Sequence, residues 1–251
     1  MNLDGLWWLL LLLGPLIVIQ RRLHLEVQLI FFLITRSREI ALALFSFIFF
    51  PGVFLHETSH FIVARLLGVR TGRFSLLPRP LENGRLQLGY VETAPTDIIR
   101  DALIGAAPLL VGGAFVAYAG LKQLGLPAIW ESLANGSEGV GLQALSRLPE
   151  LPDFWIWFYL TFAVSSTMLP SSSDRRAWLP IGLFVAVLLG LSLVVGAGPW
   201  MAAHLAEPLN QVLLAVAVVF GITILIHLVL VIPLWGLRHL LSWMTGMQLA
   251  R

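Results

Sequence analysis

Residues 178–197, WLPIGLFVAVLLGLSLVVGA, carry no charged side chain over a length that matches the hydrocarbon thickness of a bilayer. In that solvent every backbone N–H and C=O needs a partner within the protein, and a single segment meets the demand as a helix. Comparable runs recur along the chain, so the expected fold is an α-helical polytopic membrane protein. Composition agrees: 58% of the residues are hydrophobic and 12% are charged, where soluble domains carry about 25% charged residues.

Six transmembrane helices are expected, over residues 5–19, 40–66, 101–120, 154–171, 178–197 and 210–235. The first begins beside Trp7 and Trp8, an interfacial signature. It lacks the basic start and small-residue cleavage site of a signal peptide. Residues 23–36, apolar but short and bracketed by Arg21, Arg22, Arg36 and Arg38, read as interfacial or re-entrant. Beyond the second span, short alternating pieces flank Glu82-Asn83-Gly84, whose Asn-Gly pair is a hairpin signal. A small β-sheet at the membrane surface is therefore expected over 73–93. Residues 121–153, with ANGSEGVG, read as a polar loop, and from Gly236 onward the chain reads as an amphipathic tail. This divides the chain into 1–39 (N-terminal span and interfacial segment), 40–178 (a core of three spans and the surface sheet) and 179–251 (two spans and the tail). Cysteine is absent, which excludes disulfides and thiolate metal sites.

Within the second span stands His56-Glu57-Thr58-Ser59-His60. Residues four apart on a helix share a face, so His56 and His60 can hold one metal ion. Glu57, about 100° round the helix from His56, can reach a water at that ion without ligating it. Ionisable groups in a span are costly and are functional candidates by default. The plainer reading is a chance match at the flank of a span, with its polar groups facing lipid headgroups. Pro51 and Gly52 just upstream loosen the helix and open a route for water.

A catalytic zinc needs a third protein ligand and an open position. Spans two and four run in the same direction, and Asp174 follows the fourth as the HETSH motif closes the second, so His56, His60 and Asp174 fall at similar depth. The competing role for Asp174 is a helix-terminal residue paired with Arg175 or Arg176. Among other candidates, His204 and Glu207 fall on the opposite membrane face, His239 lies in the tail, and His227 reads as a hydrogen-bonded histidine within the last span.

HETSH in a transmembrane helix, then a surface sheet, then GAAPLLVGG (105–113), then TMLPSSSD (167–174) resembles the site-2 protease family of intramembrane zinc metalloproteases. The likeness covers residues 40–178. It implies Zn2+ held by His56, His60 and Asp174, Glu57 as catalytic base, and a transmembrane or membrane-associated protein as substrate. The chain departs from the family pattern at Thr167, where asparagine is usual, at Arg175 in place of glycine, and at Val111. Those departures motivate an alternative, a catalytically inactive scaffold or chaperone; a metal or small-solute transporter is the third reading, with a thin polar path. The 73–93 sheet is expected either to receive the unwound substrate as an added strand at one edge, which proline at Leu86 or Leu88 would test, or to serve as a lid or surface cap without substrate contact. The lipid bilayer is the other partner, no nucleic acid is expected, and nothing sets the oligomeric state. Arginine and lysine are more numerous beside the inner ends of the spans when the N-terminus is inside, although those around 21–38 argue the other way. A multi-pass protein of a prokaryotic plasma membrane, with its active site toward the cytoplasm, is the resulting expectation.

Overall fold

The computed structural model describes residues 4–80, 86–134 and 146–247. Its elements are α1 (Asp4–Thr35), α2 (Arg38–Leu66), β1 (Thr71–Ser75), β2 (Arg79–Pro80), β3 (Leu86–Gln87), β4 (Tyr90–Thr93) and α3 (Ile98–Tyr118), the last running into a π-helical turn at Ala119–Gln123. There follow α4 (Leu126–Ala134), a 3-10 turn at Leu148–Glu150, α5 (Phe154–Ser165), α6 (Trp178–Val194), α7 (Gly198–His204) and α8 (Ala206–Thr245).

Among the described residues, four helices, α1, α2, α3 with its π turn, and α8, are long and apolar enough to cross a membrane. The bent pair α6–α7 raises the number to five. The expected count of six spans is not confirmed. The fourth is the shortfall: α5 has 12 residues, about 18 Å of helix against a hydrocarbon core of about 30 Å. It stops where Ser165, Ser166 and Thr167 offer competing hydroxyls and Pro170 forbids continuation. The fifth span bends by 118° between α6 and α7, at Gly196, whose φ of 82° is a left-handed conformation suited to glycine.

Residues 23–36 form no separate interfacial segment. No breaker interrupts α1 there, and Arg22 finds an acceptor within the helix: Glu26, fully buried, pairs with it one turn on at 2.7 Å and also accepts from Arg238 Nε of α8 at 2.5 Å. The helix ends at Arg36 with φ 52°, and Ser37 caps α2 by accepting the Ile40 N–H. Nor is the segment from Gly236 a separate tail, since α8 runs unbroken through it to Thr245. At the other end of the α1–α8 pair, Gly5 N–H donates to Asn210 Oδ1 at 2.8 Å, so the first and last helices lie parallel.

The surface sheet is two antiparallel two-stranded ladders, β1–β4 and β2–β3. The Asn83-Gly84 turn lies outside the described residues, as does most of ANGSEGVG; the expected 121–153 loop is partly helical, through α4 and the 3-10 turn.

Between helices in lipid the hydrophobic effect gives little drive, so close packing carries the association. Phe45, Phe49, Phe162, Val116, Met168 and Phe220 fill the bundle centre, with the Phe49 ring centroid 4.6 Å from that of Phe45 and 5.2 Å from that of Phe162, both pairs tilted. Helix α6 contributes no buried residue and presents apolar side chains on every side.

Candidate metal centre

The site forms where α2, α3 and the turn after α5 converge. Gly52, one turn before His56, permits the approach: a Cβ there would run into the Ala163 carbonyl and the Thr167 hydroxyl of the α5 end. His56 thereby reaches Thr167, whose carbonyl lies 2.7 Å from its Nδ1. That carbonyl is free for a sequence reason. Residue 170 is proline, without an N–H, and the Ser171 N–H is taken by Asp174 Oδ2 at 2.7 Å. His60 repeats the device against α3: its Nδ1 lies 2.8 Å from the Ile104 carbonyl. The ordinary helical partner of that carbonyl would be residue 108, which is Pro108 and has no N–H to give.

A carbonyl accepts only, so each Nδ1 carries the hydrogen and donates it. Each Nε2 is left with a lone pair, and the two face one another at 3.2 Å. Asp174 completes the group, with Oδ2 3.7 Å from His56 Nε2 and Oδ1 3.5 Å from His60 Nε2. Two lone pairs and a carboxylate within 4.8 Å of one another repel unless a proton or a metal ion lies among them. Donors about 2.0–2.1 Å from a tetrahedral zinc stand about 3.3–3.4 Å apart. The spacing here is close to that, and each ring's donation to a carbonyl is the usual support of a metal-binding imidazole. Burial works against ionisation of Asp174, but where a proton lies among the three groups, hydrogen bonds from the His56 and His60 rings, together with that from the Ser171 N–H, outweigh it and hold the carboxyl well below its ordinary range.

A cleft of about 680 Å³ opens over the group. Residues 87–93 form one wall, with β4 paired to β1 along one edge; the 171–176 turn forms the other. Glu57, 7% exposed, lines the cleft, and Gly89 of the strand wall sits directly against its side chain.

His56, His60 and Asp174 are thus brought together, with Glu57 in the same cleft. The competing partners of Asp174 are engaged elsewhere: Arg176 pairs with Asp101, and Arg175 Nε donates to the Ser171 carbonyl. Of the other histidines, His204 and His239 turn Nδ1 to the carbonyl one turn back and lie against Trp200 and Trp235. His227 is fully buried, with Nε2 3.1 Å from Ser166 Oγ and 3.3 Å from Ser165 Oγ. Sequence reading missed Gln20, which donates to the Ser166 carbonyl at 2.6 Å, and the Asp101–Arg176 pair. Neither leaves a signal, because the partners are 146 and 75 positions apart. Pro108 did leave one: a proline inside a span marks a carbonyl without its helical donor. No protein-family profile, curated protein or solved structure matches the chain.

Proposed function

We propose that the protein is an intramembrane zinc metalloprotease, similar to the site-2 proteases, that hydrolyses peptide bonds of membrane-spanning or membrane-associated proteins. The observation that carries this reading is the meeting of three donor atoms from two separate elements beside a buried carboxylate, inside a cleft large enough for an extended peptide. His56, His60 and Asp174 would hold the ion. Zinc bound there would supply Lewis-acid polarisation and a nucleophilic water at neutral pH.

The chain's own residues do the rest. Glu57 takes the proton of the attacking water and returns it to the leaving nitrogen as the C–N bond breaks. Its buried position beside Gly89 keeps competing water from the carboxylate. A substrate helix must unwind locally to expose its carbonyls, and the 87–93 wall offers strand-like backbone against which the extended segment can lie. The surplus of arginine and lysine beside inner span ends favours a cleft facing the cytoplasm of a prokaryotic plasma membrane.

One observation favours the inactive scaffold instead. The Thr167 hydroxyl, at the position where the family carries asparagine, donates back to the Ala163 and Val164 carbonyls rather than into the cleft. Zinc content of the detergent-purified protein, compared across wild type, Asp174→Ala and Glu57→Gln, tests the metal. About one zinc per chain is expected in wild type and Glu57→Gln and a loss in Asp174→Ala. Cleavage of a reporter transmembrane segment that survives Glu57→Gln would remove the proposed base.

A further inference from the structure

Asp174 is the one donor that no regular element holds. It lies in a turn, residues 166–177, whose Ser171, Ser172 and Ser173 are exposed. Its internal bonds, Ser171 N–H to Oδ2 and Ser171 Oγ to Ser173 Oγ at 2.7 Å, shape the turn. The Thr167 carbonyl ties its start to His56 of α2, and two features of α3 hold its far end, where Asp174 stands. At Gly105 the Asp174 backbone carbonyl occupies the space that a Cβ would take. One turn earlier, Asp101 receives the Arg176 guanidinium in a two-pronged pair, Nε to Oδ2 at 2.6 Å and Nη2 to Oδ1 at 2.5 Å. The two parallel bonds fix direction as well as distance. The same α3 turn carries the Ile104 carbonyl that orients His60.

We propose that Asp101 and Arg176 are positioning residues that lock the Asp174 turn onto α3, and that metal affinity depends on this clamp. The inference rests on the zinc reading above. Through the clamp, one turn of α3 sets both the loop-borne carboxylate and the His60 ring. The pair lines both the main cleft and a neighbouring pocket that includes Thr93, Pro95, Thr96, Ile98 and Ala177.

Charge gives the test its sign. Arg176 and Asp101 both line the cleft. A simple field effect on a bound cation would make Arg176→Gln bind zinc more tightly and Asp101→Asn less tightly. Positioning predicts that both bind less tightly. The experiment is zinc affinity of the full-length protein in detergent, by competition with a chromophoric chelator, for wild type, both single variants and the double variant. Amide exchange across 171–177 is measured on the metal-free forms. Each single variant is expected to lose about 10-fold or more, the range for partners that orient metal ligands. The double variant is expected to be no weaker than the weaker single, since the second substitution removes a bond already broken. Exchange over 171–177 should quicken in all three variants while α2 amides stay as in wild type. Arg176→Gln at or above wild-type affinity overturns the proposal, as does a double variant whose loss is the product of the two single losses. Wild-type protein that takes up no zinc overturns the metal reading itself and with it this role, an outcome the wild-type measurement separates from failure of the clamp alone.

Discussion

The two halves of the candidate centre are held by different physics. His56 and His60 stand on one face of α2, their rings oriented by carbonyls that prolines have left without helical donors. Asp174 stands on an irregular turn, held by a salt bridge whose arginine side chain is 60% exposed and by a contact with a glycine. The histidine half is part of the packed bundle and moves only if helices move. The aspartate half is docked onto it through the Asp101–Arg176 pair and the packing of the Asp174 carbonyl against Gly105. A metal ion between the halves would therefore be bound by a rigid pair and trapped by an adjustable third group.

Ligand deletion tests the contrast most strongly. His60→Ala removes half of the preformed pair and is expected to abolish zinc uptake. Asp174→Ala leaves the two Nε2 atoms facing one another and is expected to retain weak binding. Both losses should exceed the about 10–100-fold typical of outer partners. Equal residual affinity in isothermal titrations of the two variants would break the comparison.

The same small substitution then separates the halves. Gly52→Ala pushes a methyl group into the Ala163 carbonyl, in the packed α2–α5 contact, and should destabilise the fold by about 1–3 kcal/mol. Gly105→Ala pushes one into the Asp174 carbonyl, where the exposed turn can retreat. It should lower zinc affinity with little change in thermal unfolding. Similar unfolding midpoints for the two variants would mean that the turn is as much a part of the core as α5 is.

Pro108→Ala should act on the histidine half alone. It restores an N–H that competes for the Ile104 carbonyl, so the His60 ring loses part of its orientation, and about 10-fold in zinc affinity is expected. Acid supplies a reading of both halves together. Metal binding requires unprotonated imidazole, and histidines ordinarily titrate near about 6.5. Asp174, held below the ordinary carboxylate range, stays ionised there; the stabilisation from its charged form is present above about 3.9 and is lost only as pH falls through its lower folded value. Zinc affinity should therefore fall as pH is lowered from about 7 to 5, because metal binding requires unprotonated imidazole. A pH-independent affinity over that range would exclude the pair as ligands.

What could be read from the sequence follows the same division. The i, i+4 spacing of His56 and His60 is a local property of a helix, and α2 formed over Arg38–Leu66 around it. That Asp174 comes near them followed from the direction of the spans, a coarse argument that the turn's placement satisfies. The length of α5 did not follow, because hydropathy continues through Met168 and Leu169 after the hydroxyls of Ser165, Ser166 and Thr167 have already ended the helix. Nor could both partners of the buried Glu26 in α1 be foreseen: Arg22 is one turn away, but Arg238 lies 212 positions off.

The smallest effect concerns Thr167, where the difference between backbone and side chain is sharpest. Its carbonyl orients His56 at 2.7 Å, while its hydroxyl bonds to the Ala163 and Val164 carbonyls at 3.1 and 3.2 Å. Those acceptors belong to the end of its own helix, so the hydroxyl adds a modest closure of the last turn, within the about 0.5–1.5 kcal/mol of an ordinary intramolecular hydrogen bond. Thr167→Ala keeps the carbonyl, Pro170 and the Asp174–Ser171 bond. Zinc affinity should then stay within about twofold of wild type, far below the about 10-fold effect at Pro108. A large loss would mean that the hydroxyl fixes the path of the α5 end, and the histidine half would then owe its rigidity to this turn as much as to α2.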